Sequence, residues 1–509
     1  MRLDDCLTRA AGIWPDRPAT CYRGRSRTWR QVHADVSTLA AGLRTLGVAA
    51  GDRVALLGSN SDRYLDCFFA ASWLGALVVP LNTRLAPAEL ETCLWDSGAS
   101  VLAADDTAPG VTAGLAGDLP ELRHLVHIGE APAPEGFLAI EDVAGGKACD
   151  RAGGGGDMAA GIFYTGGTTG EPKGVVLTHD NLLANAWHML PALGWSEDTV
   201  FLHAAPMFHA ADICCLVAVS VVAGRHVILP RFDAGNVVRA IEENGVTALG
   251  LVPTMISALT TALDGRPLPT LATMLYGGSP MPEELIARTR RALPRVRLWQ
   301  AYGQTEAAPG LTLLPPERHE PGPASKSRSA GQPLPGCEVT IRDPLTGAEP
   351  PRGEIGEICG RGDNVMRGYW RKPELTGRAL RDGWLHTGDC GYLDNDGFLY
   401  VAGRLDDMII TGGENVHPAE VENVICQHPA VAEAAVIGVP DDHWGQRVHA
   451  VIVLRPENGP GIGGLVEFCR GRLAGYKCPR TVEIREALPK TGAGKADKKR
   501  LAARIPADE

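Results

Sequence analysis

The sequence predicts an α/β protein with mostly parallel sheets, followed by an all-β stretch and a small α+β unit. The chain has 509 residues, enough for roughly two to four domains. Short apolar runs of strand type alternate with helical patterns through most of its length. Such alternation is typical of helices packed on parallel sheets, and this indicates the fold class.

Individual elements follow from the periodicity of the apolar residues. Buried strands are expected at Val54–Leu57, Ala76–Pro80 and Val227–Leu229, and helices at Asp62–Leu74, Ala234–Asn244 and Pro282–Leu293. Pro282 suits the first turn of a helix, where no backbone N–H is needed. His124 and His127 lie in an apolar stretch without a carboxylate or cysteine at ligand spacing, so they predict a strand rather than a metal site.

Three breaks organise the chain. Residues 145–157 are rich in glycine and predict a surface connection, and residues 315–336 are rich in Pro, Gly and Ser. The strands of the all-β stretch are expected at Glu338–Arg342, Gly356–Gly360 and Gly397–Val401. The third break is Gly403–Asp407, after which roughly 100 residues form a unit of ordinary domain size. We therefore expect one domain over residues 1–405 and a second over residues 406–509.

Composition excludes several classes of protein. Hydrophobic residues make up 45% and charged residues 21%, which excludes wholesale disorder. A net charge of -11 excludes a general nucleic-acid binder. The segment from Met1 to Cys6 lacks the apolar core of a signal peptide, and the apolar runs Cys67–Leu81 and Ile213–Gly224 are shorter than the ~20 residues of a membrane span. The thirteen cysteines are scattered without a Cys-x-x-Cys, which predicts reduced thiols in a cytoplasmic protein.

The strongest local signal is the segment Gly161–Gly174. An apolar strand there runs into a turn of glycine, threonine and lysine. Glycine lets successive backbone N–H groups point at one anion, threonine adds hydroxyl donors and lysine adds charge, which together suit a polyphosphate. The segment is not a Walker A loop, because no Gly-Lys-Ser/Thr closes it. A plain hairpin loop is the alternative.

The segment Tyr164–Gly174 resembles the phosphate loop of the adenylate-forming superfamily, which includes acyl-CoA and aryl-CoA synthetases, luciferases and peptide-synthetase adenylation domains. Further family motifs follow in the family's order over more than 300 residues: Pro206–His209, Tyr276–Pro280, Tyr302–Glu306, Trp384–Asp389, Gly403–Asn415 and Pro489–Lys495. The resemblance implies a large N-terminal domain with two layered, mostly parallel sheets and a β-barrel-like part. It also implies a small, mobile α+β C-terminal domain.

The family's chemistry meets a physical need. A carboxylate is a poor electrophile, because its leaving group would be oxide. Attack on the α-phosphate of ATP gives an acyl adenylate, from which a thiol can displace AMP. The resemblance therefore implies ATP and Mg²⁺ as cofactors, with CoA as the co-substrate.

The resemblance assigns roles at the nucleotide site. Glu306 is the expected Mg²⁺ ligand, since Mg²⁺ takes one or two carboxylates beside the phosphates; a solvent-facing glutamate is the alternative. Tyr302 offers a flat face for adenine, and Thr305 can donate to the α-phosphate. The expected catalytic residues are Lys495, Glu306, Thr169 and His209. The expected nucleotide- and CoA-binding residues are Thr165, Gly166, Gly167, Thr168, Thr169, Gly170, Lys173, Gly278, Ser279, Tyr302, Gly303, Gln304, Thr305, Asp389, Arg404, Gly412, Gly413, Glu414 and Tyr476.

The resemblance also implies a change of domain arrangement between the two half-reactions. Asp389 is expected to accept the ribose hydroxyls and Arg404 to reach the ribose or phosphate. Lys495 is expected to enter the site for adenylation and to stabilise charge that develops in the transition state. The break at Asp406 is the expected hinge, after which the turn Thr411–Asn415 would line a thiol channel.

Three departures from the family pattern bear on these assignments. Gly166 stands where relatives often carry serine, which removes one hydroxyl donor from the phosphate loop. Gln304 replaces a commonly apolar residue near the acyl pocket. Cys478 stands where many relatives carry a basic residue, so a CoA contact from Tyr476, Lys477 and Arg480 is less firmly assigned.

The expected function is an acyl-CoA synthetase for a hydrophobic acid, because the residues around Ala210–Ile213 and Leu311–Leu314 are apolar. A fatty acid is the default by family frequency, and aryl or polycyclic acids stay open. One alternative keeps adenylation but loads a carrier-protein phosphopantetheine, and a second is an adenylation-only partner in a natural-product pathway. Another is a non-catalytic nucleotide sensor. The partners expected are thus the small-molecule acid, ATP and CoA, with a homodimer or a carrier protein left open.

Overall fold

The computed structural model describes residues 1–107, 119–166, 172–320, 322, 325–412, 414–441, 443–455, 464–490 and 496–502. The chain forms two compact units. The first comprises Met1–Val339 and Gly360–Leu385, and the second comprises Thr340–Cys359 and His386–Glu509. The boundary between the units therefore passes through the β-rich stretch that follows residue 336, rather than at one point of the chain.

The described residues contain strands throughout their length. The strands are β1 (Pro18–Tyr22), β2 (Arg25–Thr28), β3 (Arg53–Leu57), β4 (Leu77–Pro80), β5 (Val101–Ala104), β6 (His124–His127), β7 (Leu138–Ala139), β8 (Ala159–Gly166), β9 (Pro172–Thr178), β10 (Val200–His203), β11 (Arg225–Ile228), β12 (Ala248–Leu251), β13 (Thr273–Gly277), β14 (Arg297–Gly303), β15 (Gly310–Leu314), β16 (Gln332–Pro333), β17 (Cys337–Arg342), β18 (Gly356–Gly362), β19 (Gly368–Tyr369), β20 (Leu380–Arg381), β21 (Trp384–Leu393), β22 (Leu399–Arg404), β23 (Ile409–Thr411), β24 (Glu414–Val416), β25 (Val431–Asp441), β26 (Gly445–Leu454) and β27 (Thr481–Ile484).

Helices alternate with these strands through most of the first unit. The α-helices are Leu3–Ile13, Trp29–Thr45, Asp62–Trp73, Pro87–Ser97, Ile140–Val143, His179–Leu193, Ala210–Val221, Ala234–Asn244, Pro253–Ala262, Glu283–Ala292, Pro373–Ala379, Pro418–Ile425, Leu465–Arg470 and Lys498–Ala502. Among the described residues, no helix combines the length and the apolar character that crossing a bilayer requires.

Two large sheets belong to the first unit. The eight-stranded sheet has the order β19-β9-β8-β4-β3-β5-β6-β7, and the nine-stranded sheet has the order β16-β15-β14-β13-β12-β10-β11-β1-β2. In both, the central strands pair in parallel and antiparallel strands lie at an edge. Strands β3, β4 and β5 are almost wholly buried, as expected for parallel strands covered by helices on both faces.

Two further sheets complete the fold. One contains β17, β18, β21 and β20 in that order, with β22 paired to β21. The other lies in the second unit and has the order β24-β23-β26-β25, with β27 paired to β26. A separate apolar cluster that includes Val421, Val436 and Ile452 forms the core beneath this last sheet. The mixture of mostly parallel sheets, a β-rich part and an α+β C-terminal part confirms the predicted fold class.

Local signals explain where helices begin and end. The side chain of Asp233 accepts a hydrogen bond from the Asn236 backbone N–H at 2.9 Å, which caps the helix Ala234–Asn244 at its start. Gly245 ends the same helix with φ 64°, in the left-handed region that favours glycine. One local expectation is wrong. Pro282 is the N-cap residue of the helix Glu283–Ala292 and precedes its first turn, because its ψ of 140° is extended.

Candidate active site

Three of the predicted motifs follow strands of the nine-stranded sheet. Strands β10, β12, β13 and β14 are mutually parallel, so their carboxyl ends lie at one edge of the sheet. Pro206–His209 follows β10, Gly278–Pro280 follows β13, and Gln304–Glu306 follows β14. The carboxyl edge of a parallel sheet is where ligands bind in folds of this type, which makes this edge the candidate site.

Close backbone approach explains the glycines at this edge. A Cβ added to Gly303 would lie 1.8 Å from the carbonyl oxygen of Pro309, and one added to Gly277 would lie 2.6 Å from the carbonyl oxygen of Ala301. Both oxygens belong to the backbone, so they cannot move away as the end of a flexible side chain could. Gly278 adopts φ 78°, where an L side chain is strained. The exposed Ser279 follows it, so this turn presents backbone and a hydroxyl rather than bulk.

Glu306 occupies a short 3₁₀ turn, Thr305–Ala307, directly after β14. Its carboxylate is buried, with 9% of the residue exposed, and Oε1 accepts a hydrogen bond from the hydroxyl of Tyr369 at 2.8 Å. Its backbone carbonyl accepts from the N–H of Met366 at 2.8 Å. The solvent-facing alternative for Glu306 is therefore wrong, because the side chain is held inside the fold.

The donor set at Glu306 fits a magnesium ion. A buried carboxylate that a tyrosine hydroxyl holds through one oxygen is suited to Mg²⁺, which binds proteins through one or two carboxylates and completes its shell with phosphates and water. Glu306 would hold the ion, and the bound ion would neutralise phosphate charge.

Tyr369 is a residue of this site that the sequence analysis missed. It lies on β19, whose partner β9 carries Lys173, and the Nζ of Lys173 lies 5.9 Å from the centre of the Tyr369 ring. Tyr369 thus contacts both the expected metal ligand and a cation of the phosphate-loop segment. The sequence Gly368–Trp370 does not by itself indicate a binding site, and Tyr369 lies 63 positions after Glu306 in the chain.

The phosphate-loop segment is described on its two flanks. Thr165 and Gly166 end β8 and pair in antiparallel register with Lys173 and Pro172 at the start of β9. This hairpin confirms the strand that leads into the loop. Gly167, Thr168, Thr169 and Gly170 lie outside the described residues, so their phosphate-binding assignment remains a prediction.

His209 is the N-cap residue of the helix Ala210–Val221 and lies against Phe208, with ring centres 4.5 Å apart. Burial is the main cause and the positive charge of Arg84 the smaller one, and together they lower the pKa of His209 to about 4. The imidazole is therefore neutral at physiological pH.

Tyr302, Gln304 and Thr305 are half-buried at the same edge. The backbone N–H of Gln304 donates to the carbonyl of Pro309 at 2.9 Å, which closes the turn around Glu306. The structure therefore brings together the residues expected around adenine, the α-phosphate and the metal ion, all within the first unit.

Asp389 and Arg404 belong to the second unit, where β21 and β22 place them opposite each other. The Nη1 of Arg404 donates to Oδ1 of Asp389 at 2.8 Å and to the carbonyl of Thr387 at 3.3 Å. The sequence analysis assigned both to the nucleotide without expecting this pair. Arg404 is exposed, so the pair is accessible to a ligand.

The turn assigned to the thiol channel also lies in the second unit. Gly412 has φ 60° and its N–H donates to the carbonyl of Trp444 at 2.8 Å, while Glu414 begins β24 and is exposed. Tyr476 lies 36% exposed in a short 3₁₀ turn. The neighbouring Lys477 is engaged with Glu420 at 2.8 Å. Gly413 and Lys495 lie outside the described residues.

Comparison with known proteins decides the family. A sequence model described as AMP-binding enzyme matches residues 7–370, and one described as the AMP-binding enzyme C-terminal domain matches residues 420–495. The chain belongs to the AMP-binding enzyme family. This confirms the predicted superfamily and the predicted class, an AMP-forming acid–thiol ligase. The use of ATP, Mg²⁺ and CoA is confirmed at the level of this family.

Relatives match this chain over nearly its whole length. It is 43% identical to a feruloyl-CoA synthase from Amycolatopsis over 96% of both chains, and 36% identical to a fatty acid–[acyl-carrier-protein] ligase from Streptomyces coeruleorubidus over 96% of this chain and 93% of the relative. It resembles the solved o-succinylbenzoate CoA synthetase of Bacillus subtilis with a TM-score of 0.86 and 32% identity, covering 99% of both chains in the acyl-adenylate complex. That synthetase has also been solved with ATP and magnesium.

Proposed function

We propose that the protein is an ATP-dependent aryl-CoA ligase. It activates an aromatic carboxylic acid as the acyl adenylate and then transfers the acyl group to CoA, with release of pyrophosphate and AMP. The observation that carries the proposal is the 43% identity to a feruloyl-CoA synthase over almost the full chain. This proposal replaces the fatty acid favoured by the sequence alone with an aromatic acid.

The chain's own residues support the first half-reaction. Glu306, fixed by Tyr369, would hold the magnesium ion, and Lys173, whose Nζ lies 5.9 Å from the centre of the Tyr369 ring, would add positive charge. Thr305 and the backbone around Gly278 line the nucleotide. His209 is neutral and lies at the mouth of the apolar acid pocket, so it places no positive charge against the apolar acid.

The division of labour between domains is part of the proposal. Residues 1–405 bind ATP and the acid, and residues 406–509 carry Lys495 and the thiol-channel turn. Lys495 serves adenylation and then withdraws. Lys495→Ala should therefore abolish adenylation and leave transfer from a supplied acyl adenylate to CoA largely intact. Equal loss of both half-reactions would contradict this division.

A screen of ATP–pyrophosphate exchange tests the choice of acid. The panel contains hydroxycinnamic acids, benzoic acids with and without a second carboxylate, and fatty acids of several lengths. We expect the highest kcat/KM with an aromatic acid and no exchange with Glu306→Gln. A maximum with a fatty acid would overturn the proposed substrate class, and silence across the panel would overturn the proposed ligase.

A second acceptor is favoured by one observation, the 36% identity to a fatty acid–[acyl-carrier-protein] ligase. In that alternative the acyl group passes to a carrier-protein phosphopantetheine. The test supplies the prepared acyl adenylate with free CoA or with a phosphopantetheinylated carrier protein. Faster release of AMP with CoA supports the CoA ligase, and transfer to the carrier alone supports the alternative.

A further inference from the structure

A chain of four polar side chains lies buried behind the segment Pro206–His209. The Nδ1 of His203 lies 2.7 Å from Oδ2 of Asp212, and the Nε2 of His203 lies 2.9 Å from Nδ1 of His226. The Nε2 of His226 lies 3.2 Å from Oγ of Ser220. All four side chains are at most 3% exposed, so water does not complete this chain.

Proton counting along the chain gives the direction of its hydrogen bonds. The hydroxyl of Ser220 donates to the carbonyl of Leu216 at 2.8 Å, an ordinary O–H···O distance, so Ser220 accepts from the Nε2–H of His226. The Nδ1 of His226 is then an acceptor, and His203 must donate to it through Nε2–H. One proton then lies in the hydrogen bond that joins the Nδ1 of His203 to Asp212.

The electrostatics around His226 agree with this count. Burial lowers the pKa of His226, and the neighbouring His203 lowers it further. A neutral His226 that accepts from His203 and donates to Ser220 is the arrangement that the hydrogen bonds require.

The chain is attached to the candidate site at one end. Asp212 is the third residue of the helix Ala210–Val221, and its N–H donates to the carbonyl of His209 at 3.0 Å. His203 ends β10 and precedes the segment that carries His209. Asn60 binds the same segment, with Nδ2 donating to the carbonyl of Ala205 and Oδ1 accepting from the N–H of Met207, both at 2.7 Å.

We propose that the buried hydrogen-bonded pair of His203 and Asp212, continued through His226, is a positioning device that fixes His209 at the mouth of the acid pocket. The proposal rests on the proposed role of His209. The rest of the helix Ala210–Val221 is almost entirely apolar. A buried polar pair is satisfied only in the register in which its groups meet, which is a specificity that apolar packing lacks. Asp212 and His203 are positioning residues, since they act through the segment Pro206–His209.

Histidine NMR on the full chain tests the hydrogen-bonded chain without any substrate. The ¹⁵N-histidine-labelled protein is examined at about pH 8.5, roughly two units above the ordinary histidine pKa. We expect a ring N–H that is protected from exchange with water, lost in Asp212→Asn and in His203→Gln and retained in Asp106→Asn. Asp106→Asn is a matched control, because it breaks another histidine–aspartate contact, the 2.9 Å pair with His127. We also expect His226 to be the neutral Nε2–H tautomer in the unmodified protein.

The NMR outcome decides the hydrogen-bond directions independently of the activity. Absence of a protected ring N–H that depends on Asp212, or an Nδ1–H tautomer at His226, would overturn the hydrogen-bonded chain. The tautomer of His226 is read in the unmodified protein, so the test stands even if a variant does not fold. Failure of the proposed function would instead appear as silence in the exchange screen with an intact NMR signature.

Steady-state kinetics test the positioning role. We expect Asp212→Asn to lower kcat/KM for the acid by about 10- to 100-fold, the cost of misplacing a contact residue by about 1 Å. The loss should fall on KM for the acid and for CoA, with KM for ATP unchanged. A merely structural role would lower the active fraction and hence kcat for every substrate at constant KM. That pattern, or an equal effect of Asp106→Asn, would overturn the proposal.

Discussion

The hydroxyl of Tyr369 offers a sharp test of how the metal ligand is held. Tyr369→Phe removes the 2.8 Å hydrogen bond to Oε1 of Glu306 and keeps the ring that lies 5.9 Å from Lys173. A hydrogen bond to a charged acceptor contributes about 1.5–3 kcal/mol, and at 9% exposure little water can replace it at Glu306. Loss of a residue that orients a metal ligand typically weakens metal binding by about 10- to 100-fold. The two figures agree, since about 1.4 kcal/mol is tenfold.

The assay is the Mg²⁺ concentration that gives half-maximal ATP–pyrophosphate exchange at saturating ATP and acid. We expect this concentration to rise by about 10- to 100-fold in Tyr369→Phe. Trp370→Phe is the matched control, because it removes the 3.0 Å hydrogen bond from Nε1 to the carbonyl of Asp96 at the next position and leaves Glu306 untouched. If Tyr369→Phe is folded and its Mg²⁺ requirement stays at the wild-type value, or if the control shifts it equally, the reasoning fails.

Three other predictions concern separate features of the molecule. Gly303→Ala should prevent accumulation of folded protein, because the new Cβ would lie 1.8 Å from a backbone oxygen; a normal yield with an unchanged melting temperature would contradict this. Arg404→Ala should change the free energy of unfolding by at most about 1 kcal/mol, since the Arg404 side chain is 45% exposed, yet raise KM for ATP; an unchanged KM would remove Arg404 from the nucleotide site. Burial lowers the pKa of both His209 and His319 to about 4, so the folded state resists protonation of these side chains. Their contribution to the free energy of unfolding is complete above the unfolded pKa of about 6.5, and it falls as the pH drops toward 4. At pH 5 each histidine lowers the free energy of unfolding by about 2 kcal/mol. The free energy of unfolding in urea should therefore fall less between pH 7.5 and pH 5.0 in His319→Gln than in the wild type, and an equal fall would show that His319 is not titrating.

Much of the fold could be predicted because local pattern and burial agree. The apolar run Val54–Leu57 becomes β3, and the periodic segment Ala234–Asn244 becomes a helix with those bounds. Strand order could not be predicted in this way. The neighbours β10 and β12 are separated in sequence by β11, yet they pair directly, because the helices between parallel strands can place the returning strand on either side.

The candidate site was predictable where one motif contains its own geometry. Glycine at position 303 and the carboxylate at 306 belong to one motif, and both are explained by a single turn. The hydrogen bond from Tyr369 to Glu306 was not predictable, since it depends on β19 pairing with β9 from a distant part of the chain. The pair of Asp389 and Arg404 was missed for a different reason, because it follows from the register of the consecutive strands β21 and β22.

The support of Glu306 reaches beyond its own turn. Asn364 donates to the carbonyls of Ala307 and Gly310 at 2.6 and 2.7 Å, so the segment next to Tyr369 also clamps the backbone of the metal-ligand turn. Asn181 in turn holds that segment, since its Nδ2 donates to the carbonyls of the residues on either side of Asn364 at 2.7 and 2.8 Å.

Asn181 lies in the first turn of the helix His179–Leu193, which begins where β9 ends. Strand β9 leads out of the phosphate-loop segment, so the turn that carries Glu306 and the strand that carries Lys173 share one hydrogen-bonded support. Glu306, the expected metal ligand, is therefore preorganised by the same residues that anchor the strand leading out of the phosphate-loop segment, and preorganised charge is what an adenylation step requires of a site that must stabilise developing negative charge.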